Sequence, residues 1–227
     1  AIENSLGGSV TDTLDLLIHD SVLFIKHEIV LPITHNLLVK EGTVTKNIET
    51  ILSHPQALAQ CNLYISSHLH RAQRVAAMST SAAVKEMLKR GPETAAIGTK
   101  RAAELLGAKI LAQGIEDNPN NMTRFVVLAP TDHPPTGKDK TSLCFSFTED
   151  TPGILHSVLS EFAKRNINLA KIESRPTRES LGRYIFLIDI QGHRKDSAVK
   201  QALQSVETQV SMFKIFGSYP CYEAVTP

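Results

Sequence analysis

Apolar and polar positions keep a regular rhythm through the last third of the chain. Leu143, Phe145 and Phe147 alternate with Ser142, Cys144 and Ser146, the period-two signature of a half-buried strand. Leu155, Val158, Leu159 and Phe162 then recur at helical spacing, with Thr151 predicted as N-cap and Pro152 at the first helical position. Asn166 reads as the stop. Strands are predicted over 168–174 and 183–190, the second an apolar run between Gly182 and Gly192. Asp196 is placed to cap a second helix that turns Val199, Leu203 and Val206 inward, and a strand over 210–216 closes the series. The order βαββαβ is the split arrangement of ferredoxin-like domains.

Upstream the rhythm alternates between helix and strand. Val10, Leu14, Leu17 and Ile18 share a helix face, and 29–39 reads as extended. Helices are predicted over 82–88 and 101–106, with strands over 1–3, 95–97 and 125–129. Such alternation predicts an α/β domain. Between the two halves, 130–140 (PTDHPPTGKDK) replaces periodicity with proline, glycine and charge, as an exposed connection does. The domains read as 1–129 and 141–227, joined by that linker.

Composition narrows the function. The 227 residues carry a net charge of +1, so no basic field invites nucleic acid, and no apolar run approaches the ~20 residues of a membrane span. Three scattered cysteines, Cys61, Cys144 and Cys221, make no disulfide framework or zinc knuckle and fit a reducing cytoplasm. His68 and His70 lie close in sequence, but no carboxylate or thiol stands beside them to complete a metal set.

Three polar clusters sit where strands are predicted to meet helices, the place where open α/β sheets gather ligands. Glu3-Asn4-Ser5 precedes Gly7-Gly8-Ser9, which reads either as a helix entrance that favours an anion or as plain turn chemistry. Ser79-Thr80-Ser81 can cap the following helix or help to hold a carboxylate. The third cluster, 118–125, delivers Thr123 and Arg124 to the start of a strand, with Asp117 or Glu116 as candidate partners of Arg124.

These segments, in this order, resemble one known family. I-E-N-S-x-x-G-S-V (2–10), H-P-Q-A-L-x-Q-C (54–61), S-T-x-x-A (79–83) and N-x-T-R-F (121–125) resemble the motif series of prephenate dehydratase. Downstream, P-G-I-L-H (152–156) and E-S-R-P (173–176) resemble the phenylalanine-binding motifs of the ACT domain fused to that enzyme. The resemblance implies a two-lobed catalytic domain like a type II periplasmic binding protein, followed by a ferredoxin-like ACT domain. It implies decarboxylating dehydration of prephenate, needing no metal or redox cofactor because aromatisation drives it. It also implies L-phenylalanine as effector and a homodimer or homotetramer built through ACT domains.

Carried over residue by residue, it makes Thr123 catalytic and Glu3, Asn4, Ser5, Gln60, Ser79, Thr80, Arg124 and Phe125 substrate-binding. Gly153, Ile154, Leu155, His156, Glu173, Ser174, Arg175 and Pro176 become effector-binding. A hydroxyl is a poor outright acid near neutral pH, so Thr123 is expected to donate a hydrogen bond to the departing oxygen. An ionised Glu3 would repel a dianion, so it must be protonated or paired. Arg124 is expected either to bind a carboxylate or to lock a hinge, and Cys61 is expected to pack rather than attack. Two departures stand out. The family's glycine-rich opening segment is absent, read as truncation or loss, and Ile154 replaces a frequent alanine. Arogenate as substrate, or a non-catalytic amino-acid regulator, are the rival readings.

Overall fold

The computed structural model describes residues 1–177 and 182–222. The chain divides into two bodies, 1–31 with 123–227 and 32–122, so it passes between them at 31/32 and again at 122/123. This division differs from the sequence boundary at 130–140, because the first strands and helix pack on the C-terminal sheet rather than apart from it.

In the first body, β1 (Glu3–Asn4) and β2 (Gly8–Ser9) form a short hairpin, and α1 (Thr11–His19) follows. Asp12 in the first turn of α1 complements the helix dipole. β3 (Phe24–Pro32) returns to the same sheet. The second body holds β4 (Asn36–Val39), β5 (Thr50–Ser53), α2 (Pro55–Gln60), α3 (Asn62–His68), β6 (Gln73–Ala76), α4 (Thr80–Lys89), β7 (Thr94–Gly98), α5 (Lys100–Leu106) and β8 (Lys109–Ala112). β9 (Met122–Ala129) completes the small sheet in the order β2-β1-β9-β3. The C-terminal elements are β10 (Asp139–Ser146), α6 (Ile154–Ala163), β11 (Leu169–Pro176), β12 (Tyr184–Gln191), α7 (Ser197–Glu207) and β13 (Met212–Pro220).

The sheet of the second body runs β6-β5-β7-β4-β8, with β5 parallel to β6 and β7. Its central strands are apolar at consecutive positions, as strands covered on both faces must be. Leu37, Ile51, Ala95 and Ile97 pack with Ala57, Leu58, Cys61 and Ile65 of α2 and α3. The next residues along, Leu38, Leu52 and Ala96, pack with Val84, Met87 and Ala103 of α4 and α5. A side chain at Gly98 would strike Leu38 and Val84, so glycine lets the sheet and α4 close up there.

The C-terminal sheet, β11-β12-β10-β13, has the ferredoxin-like order and antiparallel pairing throughout. Leu143 and Phe145 meet Val158, Phe162, Leu203 and Val206 of α6 and α7. The period-two reading expects the other face of β10 to be open, and there the structure differs. Ser142 and Cys144 are also buried, because Ile2, Leu14, Leu17, Ile18 and Ile25 cover the far side of the sheet. Gly217 permits this contact: a Cβ there would lie 2.3 Å from the Ile25 carbonyl oxygen. Helix α6 begins at Ile154 with Gly153 as N-cap at φ +86°, so Thr151 is not its cap. Asn166 does stop it, at φ +55°. Asp196 is the N-cap of α7, but its carboxylate accepts from the His193 N–H rather than from the helix.

β10 starts at Asp139, inside the proline-rich connection. Burial pushes its carboxyl up, but hydrogen bonds from the Thr136 hydroxyl and from the Thr136 and Gly137 N–H groups outweigh that and hold it below the usual 3.8. A carboxylate depressed in the folded state contributes fully above its unfolded pKa, and the contribution is lost as pH falls through the folded value. Asp139→Asn is therefore expected to lower stability at pH 7 and to flatten its decline below about pH 4. Urea melts at stepped pH measure this, and parallel curves for the two proteins would contradict it.

Candidate functional site

The hairpin places the first cluster. Asn4 pairs with Gly8 and Glu3 with Ser9, so Gly7 ends the hairpin turn and Gly8-Ser9 is its second strand rather than a helix entrance. The Asn4 side-chain oxygen accepts from the Leu6 and Gly7 N–H groups at 3.1 and 2.7 Å, which fixes its amide in a turn. Its amide nitrogen then points across to β9, where the register sets Asn4 opposite Thr123 and Glu3 opposite Arg124. Asn4 Nδ2 donates to Thr123 Oγ1 at 2.9 Å. Thr123 is buried, and among the described residues nothing accepts its own hydroxyl proton. An oxygen that receives one hydrogen bond while keeping its proton unused is a positioned donor. Ser5 is exposed in the hairpin loop, and Phe125, next along β9, is half-buried.

Arg124 lies in an ion cluster. Its guanidinium meets Asp189 at 2.7 Å, Glu3 at 3.0 Å and Glu28 at 3.3 Å. Burial works against its charge, but Asp189 above all outweighs that and keeps it protonated beyond the ordinary arginine range. Glu3 also meets Lys171 at 3.4 Å, so of the two alternatives set for Glu3 the structure shows pairing. Arg124 thus ties β1, β3 and β9 to β12 within the first body, its carboxylate partners being side chains of that body. Asp117 and Glu116 are not its partners. Asp117 accepts from the Asn62 and Leu63 N–H groups at the start of α3, and Glu116 accepts from the His35 N–H.

In the second body, Ser79 is the N-cap of α4 and accepts from the Ala82 N–H at 3.0 Å. The capping reading holds, and it leaves the exposed hydroxyl free to donate outward. Thr80 is the first residue of that helix. His54 caps α2 through Nδ1. Gln60 ends α2, and its Oε1 accepts from Asn121 Nδ2 at 3.1 Å and meets His35 Nε2 at 2.9 Å. His35 escaped the sequence reading. The only hint was a His-Asn pair set inside the extended apolar run at 29–39. An open pocket of about 500 Å³ in this body is lined by Asn36, Thr99, Lys100 and Arg101 among others, and none of Gln60, Ser79 and Thr80 borders it.

Cys61 is fully buried, and burial first, then Asp117 and Glu116, pushes its thiol up to about 12. It cannot supply a thiolate at neutral pH. Cys61→Ala is expected to leave turnover within about twofold, and native-state thiol titration should leave Cys61 unlabelled. Rapid labelling of Cys61, or loss of turnover in the alanine variant, would contradict this. Among the described residues no group of three His, Cys, Asp or Glu is arranged to hold a metal, and no helix is long and apolar enough to cross a membrane.

The effector motifs lie apart within this one chain. An open pocket of about 500 Å³ is lined by residues 150–156, among them Gly153, Ile154, Leu155 and the exposed His156. The strand β11 carries the other motif, but none of its residues borders that pocket. Glu173 and Arg175 point to one face, where Glu173 meets Ser9 Oγ at 2.5 Å and Arg175 meets Asp15 at 2.7 Å. Ser174 and Pro176 are exposed on the other.

Comparison with known proteins places this arrangement. Residues 1–133 match the family described as prephenate dehydratase, and 145–208 match the ACT domain. A bifunctional chorismate mutase/prephenate dehydratase of Stutzerimonas stutzeri is 42% identical over 220 residues, covering 96% of this chain and 59% of that one. The chain thus spans about three fifths of that relative's length. The prephenate dehydratase of Arthrobacter aurescens, solved in complex with L-Phe, superposes with a TM-score of 0.85 at 38% identity, covering 97% of this chain and 74% of that one. A second solved structure, GqqA, described as a novel type of quorum quenching acylase, gives a TM-score of 0.85 at 31% identity, covering 98% and 81%. The motif series, the Asn4–Thr123 pair and the ferredoxin-like sheet therefore have one common explanation: the chain belongs to the prephenate dehydratase family and carries an ACT domain.

Proposed function

We propose that the protein converts prephenate to phenylpyruvate, with Thr123 as the catalytic residue. The carrying observation is the Asn4–Thr123 hydrogen bond, which holds a buried hydroxyl with its proton unspent. In the reaction the bond to the ring carboxylate breaks and its electron pair enters the ring. The ring hydroxyl leaves, takes up a proton and departs as water, and carbon dioxide is released. Negative charge grows on the leaving oxygen, and the Thr123 O–H meets it. No general acid of matched pKa is needed if donors are already aimed at that charge.

Asn4, Ser5, Gln60, Ser79, Thr80 and Phe125 are proposed substrate-binding residues on the strength of the motif series. They are neutral groups, which suits a dianion: hydrogen bonds bind its carboxylates without fixing a cation against one of them. Glu3 and Arg124 belong to the ion cluster and act on the substrate through the placement of β1 and β9. The 152–156 and 173–176 motifs are proposed to bind L-phenylalanine where ACT domains of two copies meet, in a cytoplasmic homo-oligomer. The separation of the two motifs within one chain supports a need for a second copy. The effector acts only if it binds one quaternary state more tightly than another.

The likeness to GqqA raises acyl-amide hydrolysis as a second reading. Cys61, the buried thiol of the motif series, offers that chemistry no nucleophile. The deciding experiment assays prephenate, arogenate and an N-acyl amine side by side in the full-length protein, with and without phenylalanine. Phenylpyruvate from prephenate, suppressed by phenylalanine with a change in sedimentation, is the expected result. Preference for arogenate or the acyl amine would overturn the substrate, and indifference to phenylalanine would overturn the regulation.

A further inference from the structure

We propose that His35 is a positioning residue that fixes the amide of Gln60 so that its N–H groups face the substrate; this rests on the prephenate reading above. Both side-chain contacts of Gln60 fall on one atom, Oε1, from His35 Nε2 at 2.9 Å and Asn121 Nδ2 at 3.1 Å. An atom that receives a donor from Asn121 is an acceptor, so His35 presents Nε2–H to it. The amide nitrogen of Gln60 is left without a partner among the described residues and is available to donate. A glutamine whose oxygen is doubly held cannot flip to offer that oxygen to a carboxylate.

His35 is built to hold this geometry. It is 4% exposed, and Asn121 is 1% exposed. The His35 N–H donates to Glu116 Oε2 at 2.8 Å, and its carbonyl accepts from the Ile115 N–H at 2.9 Å. The Asn121 carbonyl accepts from the Ile33 N–H at 2.8 Å. Gln60 is thus held by the two segments where the chain enters and leaves this body. Nδ1 of His35 is buried and unpaired. A phenylalanine would fill the same space without an orphaned polar atom, and such an exception in a fold calls for a role beyond packing.

The test is a cycle in the full-length protein. His35→Phe keeps the ring volume and removes the donor. The Michaelis constant for prephenate is expected to rise about tenfold, with turnover changed less than about threefold, because uniform substrate binding is what is lost. His35→Gln, whose amide nitrogen can reach the same oxygen, is expected to restore the constant to within about threefold. In a Gln60→Ala background, His35→Phe should add nothing, since the two act as one unit. Equal losses in both backgrounds, or an unchanged constant, would overturn the proposal.

A second measurement needs neither activity nor a folded variant. Long-range proton–nitrogen spectra of the wild-type chain read the tautomer of His35 directly. Protonated Nε2 with bare Nδ1 is expected, and protonated Nδ1 overturns the proposal. A wild-type protein that leaves prephenate untouched, yet shows the expected tautomer, would sink the substrate reading and with it the role assigned to Gln60.

Discussion

Thr123→Ala lowers turnover by about a hundred- to a thousandfold and leaves the Michaelis constant for prephenate within a few fold. The expectation follows from what the side chain touches. Thr123 Oγ1 accepts from Asn4 at 2.9 Å, so the hydroxyl is oriented before substrate arrives. Its proton becomes valuable only as charge develops on the departing oxygen, and an interaction made mainly in the transition state appears in turnover rather than binding. Removing one positioned donor of this kind costs on the order of 2.7–4 kcal/mol, the factor stated. Thr123→Ser, which keeps the oxygen, is expected to retain most of the rate. Asn4→Ala leaves the hydroxyl in place but unaligned and should fall between the two. Steady-state rates of phenylpyruvate formation check all three. A raised Michaelis constant with full turnover in Thr123→Ala would remove the threonine from the chemistry.

The largest loss of stability is expected at Arg124. Its guanidinium balances Asp189, Glu3 and Glu28, and the side chain of Glu28 is only 1% exposed. Deleting the cation leaves Lys140 with Glu28 and Lys171 with Glu3, but among the described residues Asp189 keeps only the Ser142 hydroxyl as a side-chain partner. Breaking a buried ion pair from one side costs about 3–5 kcal/mol, because the orphaned charge stays desolvated. For a chain of this size that corresponds to roughly 6–20 °C in melting temperature. Arg124→Met is therefore expected to melt well below the parent, and adding Asp189→Asn should recover part of the difference. A melting temperature within about 2 °C of the parent, the shift that about 1 kcal/mol produces in a chain of this size, would show that the cluster does not hold the sheets together.

The contrast between these two residues shows where the sequence was legible. The N-x-T-R-F motif names both, but only coordinates separate their roles. Thr123 faces Asn4 through a two-residue strand, and Arg124 points the other way into carboxylates that lie 65 to 121 residues distant. Alternation along β9 makes the two diverge, yet no local pattern tells which side holds the chemistry.

The ferredoxin-like half was readable because its periods are clean and its first helix stops before Asn166. The far face of β10 was not readable. Ser142 and Cys144 look like solvent positions, and only the packing of α1 and β3 against that sheet buries them. His35 was missed for the same reason: its partners Gln60 and Glu116 come from two distant segments, and a lone histidine in an apolar run carries no signal by itself.

The most direct measurement is the stoichiometry of prephenate consumption by the full-length protein. One phenylpyruvate and one carbon dioxide should appear for each prephenate lost, with the rate collapsing in Thr123→Ala. Prephenate recovered intact, or an undiminished rate in that variant, would contradict the account.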